Sequence, residues 1–201
     1  MRKKILFSTA FILSLTFTVT AQIEKGDFLL GGSLGFNSNS NSSSNGSTSN
    51  ANVSPHIGMA IGKNSVIGLN FGLALSSNSG ISSYKNFSVN IFYDKYFNIK
   101  NKLGWYLQFF GGAGLSKNSF KVFDSAGGYT NNTSKSSNYN VGVIPALYYQ
   151  VAPKVLLNVN VGGLGYYYSK DGSGYWNSNF SLDFLNSFLF GVDFIIDRKK
   201  N

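Results

Sequence analysis

Cysteine is missing from all 201 residues, so no disulfide scaffold can hold this chain, and its stability has to come from hydrogen bonding and burial. Histidine occurs once, at His56, and one histidine without cysteine is a poor basis for a metal site. Proline is nearly absent as well, confined to Pro55, Pro145 and Pro153. Acidic side chains number 8 against 17 Lys and Arg, but the basic residues are scattered rather than clustered as a nucleic-acid binder would need. Beyond the N-terminus, no stretch approaches the roughly 20 continuous apolar residues of a membrane helix.

What the N-terminus does hold is a secretory pattern. Arg2, Lys3 and Lys4 precede an apolar run over 5–19, and Val19-Thr20-Ala21 offers small residues for cleavage before Gln22. The expectation is a signal peptide over 1–21 and one mature domain over 22–201, about 180 residues (201 − 21). Removing three basic residues takes the formal charge from +9 to +6. An exported chain without an apolar helix is either soluble and secreted or a β-barrel.

The mature sequence alternates long polar stretches with tight turns. Long stretches fall at 37–52, 76–85, 116–137 and 169–178. Tight turns fall at Gly62-Lys63-Asn64, at 98–102 and at Ala152-Pro153-Lys154. Short turns on one side and long loops on the other, joined by strands of about ten residues, are the habit of outer-membrane barrels. The lysines at these turns (Lys63, Lys100, Lys102, Lys154) and the tail Arg198-Lys199-Lys200 read as solvated strand ends.

Side chains on a strand alternate faces, so parity tests each segment. Ile67, Leu69, Phe71, Leu73 and Leu75 oppose Gly68, Asn70, Gly72, Ala74 and Ser76. Phe87, Val89, Ile91 and Tyr93 oppose Ser88, Asn90, Phe92 and Asp94; Val155, Leu157, Val159 and Val161 oppose Leu156, Asn158, Asn160 and Gly162. Further strands are read over 27–36 and 53–61, then through Trp105–Leu115, Tyr139–Tyr149 and Phe180–Ile196. The last of these also carries Leu182, Leu185, Leu189 and Val192 near helical spacing, but its phenylalanines and Gly191 favour a strand. The fold class is therefore all-β: an eight-stranded antiparallel up-and-down transmembrane β-barrel. Its greasy faces would meet lipid, and Gly, Ser, Ala, Asn and Gln would fill a lumen too narrow for a channel. Unpaired edges in hydrocarbon cost several kcal/mol per backbone group, so the eighth strand must pair with the first. Pro145 predicts a bulge in strand six.

Aromatics sort toward the two strand ends, with Tyr93, Trp105, Tyr149 and Phe194 near the short turns and Tyr84, Tyr139 and Tyr166-Tyr167-Tyr168 near the long loops. Tyr93, Trp105, Tyr149, Tyr167 and Phe194 are thus expected in two interfacial belts. The opening run Gln22-Ile23-Glu24-Lys25-Gly26-Asp27-Phe28-Leu29-Leu30-Gly31-Gly32-Ser33-Leu34-Gly35-Phe36 looks like the first strand of such proteins from Bacteroidota-type bacteria. As a whole the chain resembles small outer-membrane β-barrels of the porin-like family, with the architecture of the OmpX, OmpW and OmpA membrane domains. The resemblance spans 22–196 and carries no catalytic motif. It implies residence in the outer membrane, contact with its lipid and lipopolysaccharide, and insertion by the barrel assembly machinery. The chain departs from that pattern at its end, where Phe194 is followed by Ile195, Ile196 and the polar 197–201 instead of a terminal aromatic.

Candidate chemistry is sparse. A lipid-modifying hydrolase would need a histidine, a serine and a carboxylate together, and no spacing joins a serine to His56, which is read as a lumen residue. Asp94, Asp183 and Asp193 are read as inward carboxylates near strand ends, solvated or bonded to Tyr and Asn. Gly111-Gly112-Ala113-Gly114 and Gly162-Gly163-Leu164-Gly165 sit inside strands, so they allow curvature and tight packing and do not cradle phosphate. The 37–52 segment is expected to be mobile. Phe120, Val122, Phe123 and Tyr129 are read as folding over the mouth, and Tyr175 and Trp176 as a surface-contact loop. The reading is a non-enzymatic outer-membrane barrel without cofactor, serving envelope structure or surface interaction. The alternatives are a narrow pore or carrier for small solutes, a lipid-modifying barrel enzyme, and a soluble exported barrel holding an apolar ligand.

Overall fold

A computed structural model describes residues 23–41, 46–78, 81–100, 102–123 and 128–198. The expected signal segment lies outside this range. Eight strands follow one another: β1 (Phe28–Asn41), β2 (Gly46–Gly62), β3 (Ser65–Asn78), β4 (Ser82–Lys100), β5 (Leu103–Phe123), β6 (Tyr129–Ala152), β7 (Val155–Asp171) and β8 (Trp176–Ile196). Each pairs antiparallel with the next, and β8 returns to β1 to close an up-and-down barrel. The helical alternative for the last segment fails, because every residue of β8 lies in strand. The closing seam is short, from Phe28↔Ile196 to Leu34↔Phe190, whereas β1 and β2 stay paired out to Asn41↔Gly46.

Two adjacent rows of the ladder define the faces. One passes through Leu30, Ile57, Leu69, Ile91, Gly111, Val141, Tyr166 and Phe180, one residue per strand. Apart from Gly111 this row is apolar or aromatic and exposed on the outer wall. The next row passes through Gly31, His56, Asn70, Asn90, Gly112, Asn140, Tyr167 and Asn179 and faces the lumen. A soluble barrel would show the reverse order.

The strands are longer than expected, from 14 to 24 residues. The polar stretches read as loops are mostly hairpin extensions. Asn37–Asn41 pair with Asn50–Gly46, and Phe120, Val122 and Phe123, read as loop residues over the mouth, pair as strand with Asn132, Thr130 and Tyr129. These runs bury little apolar surface. They continue an anchored ladder in which backbone donors and acceptors stay paired. Cross-strand hydroxyl pairs add to this, such as Ser38 Oγ to Ser49 Oγ at 3.4 Å and Ser119 Oγ to Thr133 Oγ1 at 3.3 Å. At the other end the turns are tight, and Asn64 takes the left-handed conformation (φ 59°) between β2 and β3 that asparagine tolerates.

Pro145 produces the expected irregularity. It pairs with Leu107 on one side, but the β6–β7 register slips between Val143 and Ala146. Without an N–H, Pro145 cannot donate to β7. The slack is taken up opposite, where Gly162 adopts φ 124° and the β7–β8 register shifts. The shift reverses the parity of β7. Val159 pairs outward with Leu147, yet beyond the slip Leu164 and Tyr166 face out. Tyr167 is therefore turned into the lumen, over Gly165, and is not an outer-belt residue.

Candidate functional site

The lumen has two compartments. At the short-turn end Leu29, Val66, Phe92, Tyr96, Tyr106, Tyr148, Leu156 and Ile195 are buried together. The small, polar filling expected from sequence is thus replaced here by aromatic and aliphatic side chains. They fit because facing positions are bare: an added Cβ would lie 2.5 Å from the Phe92 ring at Gly68 and 2.4 Å from the Tyr148 ring at Gly104. The Tyr96 ring lies 4.9 Å from that of Tyr106, tilted by 31°, and meets Tyr148 edge-on at 5.5 Å.

Inside this plug lie two carboxylates. Asp193 stands 2.9 Å from His56 Nε2 and accepts a 2.8 Å hydrogen bond from Asn158 Nδ2. Asp94 accepts from Gln108 Nε2 at 3.0 Å and from the Tyr96 hydroxyl at 3.4 Å. Both are buried, so the expectation of solvated carboxylates is corrected, while the Tyr and Asn partners are as expected. Asp183 lies in a stretch of β8 whose side chains are outside the described residues. The His56 contact spans three strands. Gly31 sits between its ladder partners His56 and Asp193, and a Cβ there would lie 2.0 Å from Asp193 Oδ1 and 2.8 Å from His56 Nε2. Sequence reading left His56 without a partner because Asp193 is 137 positions away (193 − 56) and only barrel closure joins them.

The arrangement supports cohesion more readily than turnover. His56 directs one ring nitrogen to Asp193 and its ring edge to Phe92 at 5.6 Å. A hydrolytic centre would need a nucleophile within reach of that histidine, and among the described residues no hydroxyl is hydrogen-bonded to it. No group of three metal-ligating side chains occurs among the described residues.

The long-hairpin end is different. Here a polar cavity of about 280 Å³ is lined by Tyr84, Asn86, Asn138, Asn140, Tyr167 and Asn179. Ser116 and Ser136 hydroxyls are 2.6 Å apart in the same ladder row as Asn86, and Asn138 Nδ2 reaches Asn86 Oδ1 at 3.4 Å. Tyr175 and Trp176 are well exposed, with Trp176 stacked on Tyr168 at 6.5 Å. Asp171 shapes their turn by accepting from the Ser173 and Tyr175 backbone N–H groups at 3.0 and 2.9 Å. Of the expected belt residues, Tyr93 and Phe194 lie on the outer wall toward the short turns, Tyr149 sits in the same outward row as Leu157, and Trp105 stacks on Phe97 at 4.3 Å.

This closed, inside-out geometry has solved counterparts. Neisserial surface protein A (NspA) superposes with a TM-score of 0.52 at 16% identity, over 85% of this chain and 97% of that one. A major outer membrane protein from Thermus thermophilus does so with a TM-score of 0.52 at 12% identity, over 85% and 99%. The likeness is one of fold. No protein-family model and no curated protein matches the chain.

Proposed function

We propose that this chain is a non-enzymatic integral outer-membrane barrel that contributes to envelope structure and presents hairpins to the surroundings. One observation carries the reading: an apolar row encircles the outer wall while the carboxylates of Asp94 and Asp193 are enclosed within, bonded to Gln108 and Asn158. Such a wall is stable in hydrocarbon, where each strand needs roughly ten residues to cross. With strands of 14 to 24 residues, the surplus extends past the membrane on the long-hairpin side. The neighbours' names, which place them in an outer membrane or at a surface, are consistent with this location. Export by a signal peptide over 1–21 and insertion by the barrel assembly machinery complete the proposal.

The plug argues against a conducting role. Phe92, Tyr96 and Tyr106 are buried across the short-turn end and hold their place by ring contacts. A polar solute entering the mouth cavity would meet this layer.

The test is fractionation of cells followed by SDS electrophoresis of boiled and unboiled samples. The protein should be in the outer-membrane fraction and migrate at a different position when unboiled. Planar-bilayer recordings should show no steady conductance steps. A soluble protein with no shift would sink the proposal, and regular steps would move it to a small-solute pore.

A further inference from the structure

Four lysines on adjacent strands form a patch just above the apolar wall. Lys85 of β4 is the ladder partner of Lys117 of β5, which in turn partners Lys135 of β6. Lys170 of β7 lies two positions along from there, opposite Ser137. All four are exposed and share the outward face with Phe87, Leu115 and Tyr139. Like charges directly opposite across a ladder repel and weaken a sheet. Here two such pairs stand in succession, and among the described residues none of the four lysines is in an ion pair.

The carboxylate in the same groove does not relieve them. Asp171 lines the same groove but is spent on its own turn, where it accepts from Ser173 and Tyr175. At the opposite end of the barrel two lysines have partners, Lys154 with Asp197 at 2.6 Å and Lys95 with the Ser65 hydroxyl at 2.9 Å. Directly below the patch an outer groove of about 560 Å³ is floored by Leu73, Phe87 and Leu115. A cationic row bordering an apolar groove matches an amphiphile with an anionic head and a hydrocarbon tail.

We propose that this patch binds a bis-phosphorylated glycolipid of the lipid A class, its phosphates on the lysines and an acyl chain along the groove. The inference rests on the outer-membrane reading above and adds a partner and a site to it. Strands are spaced about 4.8 Å apart, so four lysines on four strands extend over roughly 14 Å. That is wider than one phosphate and suits a head carrying two. Lysines at this level can lay their methylene stems on the wall and keep the ammonium at the head groups.

The test uses full-length barrel refolded in neutral detergent and titrated with lipid A, with dephosphorylated lipid A and with phosphatidylglycerol. The variant K85Q/K117Q/K135Q/K170Q is compared with K25Q/K63Q/K100Q/K102Q, which removes equal charge at the short-turn end. Each sample is also run unboiled to report the closed barrel. Lipid A affinity should fall about tenfold or more in the first variant and stay near wild type in the second. Dephosphorylated lipid A should bind wild type at least about tenfold more weakly. Equal loss in both variants, or phosphatidylglycerol competing as well as lipid A, overturns the site and shows a general anion attraction. A heat-shifted, membrane-resident protein that ignores lipid A overturns this inference alone. A soluble protein without a shift overturns the outer-membrane reading with it.

Discussion

Phe92 offers the sharpest test of which face is which. It is 1% exposed, whereas Ile91 beside it is 60% exposed. The Phe92 ring fills the space above Gly58 and Gly68 and meets His56 edge-on at 77°. Phe92→Ala removes that ring from a site whose neighbours are fixed on the ladder and cannot collapse inward. The cost should be about 3–5 kcal/mol, including the cavity. Ile91→Ala leaves a gap that lipid fills, so only the transfer of three carbons is lost, about 2 kcal/mol. The predicted gap between the variants is therefore about 1–3 kcal/mol, with Phe92→Ala the worse. Urea unfolding in lipid vesicles, followed through Trp105 and Trp176 fluorescence and checked by the unboiled gel shift, would measure both. Equal costs, or a larger cost for Ile91→Ala, would refute the assignment of faces.

Four further variants test the same geometry. Leu69→Arg, in the middle of the outer apolar row, should cost about 2–4 kcal/mol in bilayers, read by the same urea titration. Gly31→Val should abolish the heat-shifted band, because its Cβ would lie 2.0 Å from Asp193 Oδ1 and 2.7 Å from the Val192 carbonyl. Gly111→Ala should keep the band, since its nearest neighbour would be 3.8 Å away. His56→Ala should lower stability by about 1–3 kcal/mol by stripping a buried carboxylate of a partner. It should leave the acylation pattern of lipid A unchanged in mass spectra of the envelope, and a changed pattern would revive the enzyme reading.

The eight-stranded barrel was legible in the residues because its wall obeys a local rule. Ile67 to Leu75 alternate with Gly68 to Ser76 whatever surrounds them, and each turn between apolar runs is marked by Gly, Pro, Asn or Lys. Parity needs only the pleat of one strand, so outward residues such as Leu69, Ile91 and Phe190 could be placed without knowing their neighbours. The bulge at Pro145 is local too, as it follows from a missing N–H.

Three features were not local. Asp193 meets His56 only because β8 closes on β1 and Gly31 leaves room between them. Tyr167 faces the lumen because the slip at Gly162 reverses parity, a consequence of register with two neighbouring strands. The polar runs are paired as strand because each extends a ladder already anchored in the wall, which composition does not reveal. The sequence by itself determined the strands, their outward faces and the turns, since these depend on the period of one chain segment and its own backbone donors. Only the tertiary structure decided the plug, the His56–Asp193 contact and the row of lysines, since each is a sum over strands brought side by side by closure and register.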